Sequence, residues 1–207
     1  MANKKINTKT ITMLAILTAL VVILQFIPIK GPTFAITLTL VPIVIGSALI
    51  GPLAGAWLGF AFGMTVVLSG DAAMFFGFNV LGTIITVLLK GSLAGLSAGL
   101  IYKLASKINR YFGVICSAVV APVVNTGIFL LGCRVFFFKD ILNMAVDSAQ
   151  KAAAATGNIA QIVVSDVNVF SYMLTALVGI NFLIELGVNM VCSPIILRLI
   201  NIRKKEG

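Results

Sequence analysis

The chain has 207 residues, 60% of them hydrophobic and 10% charged, with a mean hydropathy of +1.14. A soluble domain carries about 25% charged residues, so a water-soluble fold is excluded and an integral membrane protein is indicated. Its net charge is +9 and it contains no histidine, which removes the ligand or base that a membrane metalloprotease or rhomboid-type enzyme needs.

The apolar runs predict six transmembrane helices near 10–28, 34–50, 53–69, 79–102, 112–134 and 170–199. Each span uses about 20 residues to cross about 30 Å of hydrocarbon. That accounts for the chain as one all-α polytopic bundle over 1–207, a single membrane-embedded domain. The first run follows Lys4, Lys5 and Lys9 and meets no small-residue cleavage site before Pro28 and Pro32. It is expected to be retained rather than removed as a signal peptide. Within it, Ala15 and Ala19 in "MLAILTALVV" form a spacing that is weak by itself.

In the third run, "GPLAGAWLGFAFG", Gly51, Gly55, Gly59 and Gly63 recur every four residues, and Gly91, Gly95 and Gly99 do so in the fourth. Such stripes let helix backbones approach closely in lipid, so both are read as packing surfaces. The fourth run also holds Lys90, in "TITVLLKGSLAG", with no other charge nearby. After the fifth run comes a long connection over about 136–169, where "ILNMAVDSAQKAAAA" predicts a surface helix with Asp140 as its N-cap. Cys116, Cys133 and Cys192 are odd in number and scattered, so they are read as packing residues rather than a disulfide framework or metal cluster.

Lys4, Lys5 and Lys9, then Lys103, Lys107 and Arg110, then Arg198, Arg203, Lys204 and Lys205 flank the spans on one face. The positive-inside rule makes that face, and with it both termini, cytoplasmic in the cell membrane. The charge excess follows from this and calls for no nucleic-acid partner. The other face collects Asp71, Asp140, Asp147 and Asp166, with Lys30, Arg134, Lys139 and Lys151 among them.

Depth singles out candidates for a site. Lys90 precedes Lys103 by 13 residues, Glu185 precedes Arg198 by 13, and Asn125 follows Arg110 by 15. At 1.5 Å per residue all three lie about 20 Å from the basic edge, in one polar layer inside the bilayer. Asn79 and Arg134 fall about 36 Å from that edge, at the outer mouth. Intramembrane ionisable groups usually face the interior and often mark a substrate route. Asn79, Lys90, Asn125 and Arg134 are therefore the expected substrate-binding residues. A structural alternative stays open: Lys90 and Glu185 at equal depth would neutralise each other as a buried pair.

Several stretches together resemble the substrate-capture subunit, or S component, of energy-coupling factor vitamin transporters. They are the basic amino end, the Ala15-xxx-Ala19 spacing, "LTLVPIVIGSALIGPLAGAWLGFAFG", "LLKGSLAGLSAGLIYKL" and "INFLIELGVNMVCSPIILRLI". The resemblance implies six helices holding a vitamin near the outer side, with Ala15 and Ala19 docking on a membrane-embedded coupling protein driven by two ATPases. No phosphate-cradling Gly-x-x-x-x-Gly-Lys-Ser/Thr stretch occurs in the chain itself. No cofactor, metal or catalytic residue is expected, and the subunit is read as non-enzymatic. Lys90 and Arg134 against one deep acid, Glu185, favour a ligand with a carboxylate, and Asn79 and Asn125 would suit hydroxyl or amide groups. Pantothenate has that combination. Riboflavin, folate, thiamine, a pyridoxine-like compound or cobalamin remains open, as does a self-sufficient secondary transporter using Lys90 and Glu185 as a proton relay, although no internal repeat supports the last.

Overall fold

The computed structural model of the protein describes residues 8–27, 38–155 and 168–205, with side chains as far as Ile202. Every element among them is helical: α1 Thr8–Gln25, α2 Leu40–Leu49, α3 Pro52–Ser69, the short α4 Ala73–Phe76, α5 Val80–Ala105, α6 Arg110–Phe136, α7 Phe138–Ala155, the short α8 Val169–Tyr172, a π-helical stretch Met173–Val178, and α9 Gly179–Lys205. Positions 34–37 of the expected second span lie outside the described residues, as do Lys4, Lys5, Pro28, Lys30, Pro32 and Asp166 and the side chains of Arg203, Lys204 and Lys205.

Five segments are long and apolar enough to cross a membrane: α1, α3, α5, α6 and the run Val169–Ile202. The sixth apolar helix, α2, has 10 residues, and at 1.5 Å each they cover about half of a hydrocarbon core. The protein is an all-α polytopic membrane bundle in which the second helix is short.

The glycine stripes explain how the bundle closes. The α3 and α5 helices run antiparallel with their glycines face to face. A Cβ added at Gly55 or Gly59 would run into the carbonyl oxygen of Gly95 or Gly91, and one at Gly99 would meet the backbone of Pro52. Contact this close is the main attraction between helices in lipid, where apolar burial gives little. Hydroxyls add to it: Ser47 Oγ lies 2.9 Å from the Gly95 carbonyl oxygen, and Ser117 Oγ donates to the Ala98 carbonyl at 2.9 Å.

Four basic residues that flank the spans gather at one end. Thr8, Lys9, Leu49 and Leu199 line one groove, and Gly113 at the start of α6 abuts Ser106 after α5. Lys9, Lys103, Arg110 and Arg198 therefore share a rim. The opposite end holds the C-terminus of α1, the α3–α5 connection and α7. There Phe75, Cys133, Phe137, Ile141, Met173 and Leu177 form a buried cluster. Asp140 is not the N-cap of the surface helix. The α7 helix already begins at Phe138, directly after Phe137 caps α6, so Asp140 sits in the first turn, where its charge meets the positive end of the helix dipole.

Candidate functional site

Between the α1 C-terminus and the middle of α9 lies a cavity of about 150 Å³. In the measure by which one water occupies about 10–15 Å³, that is room for a small organic molecule. Its walls come from most of the bundle: Gln25 of α1, Phe62 of α3, Phe75 of α4, Lys90 of α5, Asn125 and Phe129 of α6, and Phe182 and Glu185 of α9. Asp71 and Thr126 complete its polar lining together with Asn181.

Lys90 is held by rings. Its ammonium lies 5.6 Å from the centre of the Phe62 ring and 5.5 Å from that of Phe129, within range for a cation–π attraction that strengthens away from water. No direct ion pair joins it to Glu185 among the described residues, although both line the cavity. The lysine and the acid face the same space without touching. Asn125 is 6% exposed, and its Oδ1 has no hydrogen-bond partner among the described residues.

Gln25 and Asp71 form the wall at the end of the bundle away from the basic rim. The Gln25 amide Nε2 donates to Asp71 Oδ2, which also accepts from Ser69 Oγ at 3.0 Å. Only the amino group of a glutamine can donate to a carboxylate, so this bond fixes which way the Gln25 amide faces. Its carbonyl oxygen Oε1 is left without a partner among the described residues, on a side chain that is 2% exposed. A buried acceptor of this kind is costly unless something satisfies it.

The remaining two expected residues sit elsewhere. Asn79 is the N-cap of α5, its Oδ1 accepting from the Gly82 backbone N–H at 2.8 Å. Arg134 is exposed in the last turn of α6, with its guanidinium 4.5 Å from the Phe138 ring centre. Neither lines the cavity. Among the described residues, no group of three or more Cys, Asp or Glu side chains is placed to hold a metal.

The π-helical stretch brings both sides of its break to the site. Leu177 and Val178 precede Gly179, Asn181 and Glu185 follow it, and these four line the cavity while Gly179 does not. Gly179 has a φ of 38°, a left-handed value that costs glycine little.

The model of the family described as "ECF transporter, substrate-specific component" matches residues 9–197. The chain belongs to that family. No curated protein and no solved structure matches it closely enough to add a relative. The residues that line the cavity all fall within the matched span. Gln25 and Asp71 are not among the residues that depth along the helices singles out. They are 46 residues apart, and no periodicity ties the end of one apolar run to a loop after another.

The charge balance inside the chamber gives a stability prediction. Lys90→Met leaves Asp71 and Glu185 facing the same space without a cation. It is expected to lower the melting temperature in detergent by about 4–8 °C, the shift that roughly 2 kcal/mol produces in a chain of this size. Adding Glu185→Gln should recover most of that loss. An unchanged melting temperature in the single variant would show that Lys90 does not balance the acids.

Proposed function

We propose that this substrate-specific component captures a small vitamin from the outer side and hands it to an energising module made of a membrane-embedded coupling protein and two ATPases. The observation that carries the reading is the cavity. It combines one cation, buried amides with unused hydrogen-bonding capacity and aromatic walls, and it lies at the end of the bundle away from the basic rim. In this reading Lys90 and Asn125 contact the ligand, joined by Gln25, while Asn79 and Arg134 shape the mouth from outside the lining. Ala15 and Ala19 form the docking strip.

The basic rim faces the cytoplasm in this proposal, with both termini there. Single cysteines replacing Ser148 and Lys107, in a chain freed of its own three, should label from opposite sides of intact cells. Labelling from the same side would reverse or break the topology.

Pantothenate is the narrower reading. Its carboxylate would meet Lys90, and its hydroxyls and amide would meet Asn125. With Arg134 outside the lining, the charge argument for it rests on Lys90 alone. The experiment for the capture function is mass spectrometry of the small molecules released by denaturing the detergent-purified subunit. A vitamin recovered in stoichiometric amount supports capture, and a subunit that carries nothing and binds none of the candidate vitamins in calorimetry argues against it.

A further inference from the structure

The polar groups of the chamber are unequally divided between donors and acceptors. Three charged residues line it, Lys90 against Asp71 and Glu185, a formal excess of one negative charge. Both hydrogen bonds to Asp71 fall on Oδ2, so Oδ1 has no protein donor among the described residues. Gln25 Oε1 is a second acceptor without a donor, in an orientation fixed by the bond to Asp71. Glu185 supplies more acceptor capacity, and Asn125 offers one carbonyl and one amino group whichever way its amide is turned. On the donor side stand the Lys90 ammonium, already held between two rings, and the Thr126 hydroxyl and Asn181 amide, which accept as well as donate and so do not shift the balance.

Gln25 Oε1 is already desolvated, Glu185 is half-buried and Asp71 is exposed, so a ligand that covers them must supply donors and offset charge that would otherwise lose its water. A second carboxylate brought into this space would add to the excess. A protonated nitrogen and N–H groups would remove it. The walls supply the other requirement: Phe62, Phe75, Phe129 and Phe182 present ring surface around the polar groups, which favours a flat apolar body and attracts a cation to its faces.

We propose that the ligand is an aromatic nitrogen heterocycle carrying a positive charge, with its charged or N–H-bearing side toward Asp71, Gln25 and Glu185. The proposal rests on the capture reading above and takes the place of the anionic ligand within it.

The test is calorimetry on the purified full-length subunit with three probes: thiamine, a thiazolium cation joined to an aminopyrimidine; pyridoxamine, a pyridine with a protonated amine; and pantothenate, an anion. At least one of the first two should bind about tenfold or more tightly than pantothenate. Asp71→Asn and Glu185→Gln should each weaken that binding by about tenfold, the effect of one charge-assisted contact. Melting temperature is measured alongside, so that a variant that fails to fold is recognised and its partner variant decides. Pantothenate binding as tightly as the better cation, or cation binding indifferent to both carboxylate changes, would overturn the charge assignment while leaving capture in place. Where no probe binds, the molecule released on denaturation decides: a cationic heterocycle supports the proposal and an anionic or neutral one overturns it. Release of nothing sinks both the proposal and the capture reading.

Discussion

Gly59→Leu is expected to abolish the folded subunit, with a loss above about 4 kcal/mol, the range reached only by severe core defects. A Cβ at this position runs into the Gly91 carbonyl oxygen and carbon, and Gly59 is buried. Those are backbone atoms of α5, so no rotamer change relieves the overlap and the two helices must separate. Separation forfeits close contacts along the whole face from Pro52–Gly99 to Gly63–Val87. It also reaches the chamber, because a Cβ at Gly91 would lie 3.0 Å from Phe62 Cδ1, and Phe62 is one of the two rings that hold Lys90. The measurement is monodisperse yield and thermal melting in detergent, with Gly187→Ala as the comparison. That glycine has nothing within 4 Å of an added Cβ among the described residues, so the comparison should be neutral or slightly stabilising through helix propensity. A Gly59→Leu protein melting like the parent would mean that α3 and α5 do not meet along their glycines.

The same helices show what a linear pattern reveals and what it hides. Apolar length and the spacing of Gly55, Gly59, Gly91 and Gly95 are one-dimensional features, and five of the six expected spans and the α3–α5 contact follow from them, while the second run yields only the short α2. Counting residues from the basic rim also works along a helix axis, which is why Lys90, Asn125 and Glu185 share one cavity. Depth says nothing about direction around the axis, however. Arg134 lies at the far end of α6 as the count requires, yet its side chain meets Phe138 instead of the chamber. Asn79 had a readable signal: an Asn directly before a long apolar run is a helix start, and the structure uses it as the cap of α5. The π-helical stretch had only Gly179 to mark it, and the pairing of Gln25 with Asp71 depends on how α1 leans against α3, which is set by packing and left no trace in spacing.

Replacing Ala15 and Ala19 together by Trp is expected to reduce uptake by the assembled transporter at least tenfold while leaving ligand binding by the isolated subunit nearly unchanged. A loss of about 1.4 kcal/mol in docking is enough for that factor. The face of α1 that packs on the bundle carries Leu17, Val21 and Gln25, all buried. Ala15 and Ala19 lie on the other side and are exposed, with Ile11, Ile16 and Ile23 exposed around them. Indoles there extend away from the subunit's own core, so the fold and the chamber have no reason to change. A partner helix seated on the strip would lose the close approach that two small residues allow, and in lipid that approach is most of the attraction. Leu17→Ala makes the opposite case: it removes buried side chain from the inner face and should cost stability, about 2–5 kcal/mol, before it affects coupling. Unchanged uptake in the double Trp variant would remove α1 from the docking surface, and binding that falls in step with uptake would place the two alanines inside the subunit's own packing.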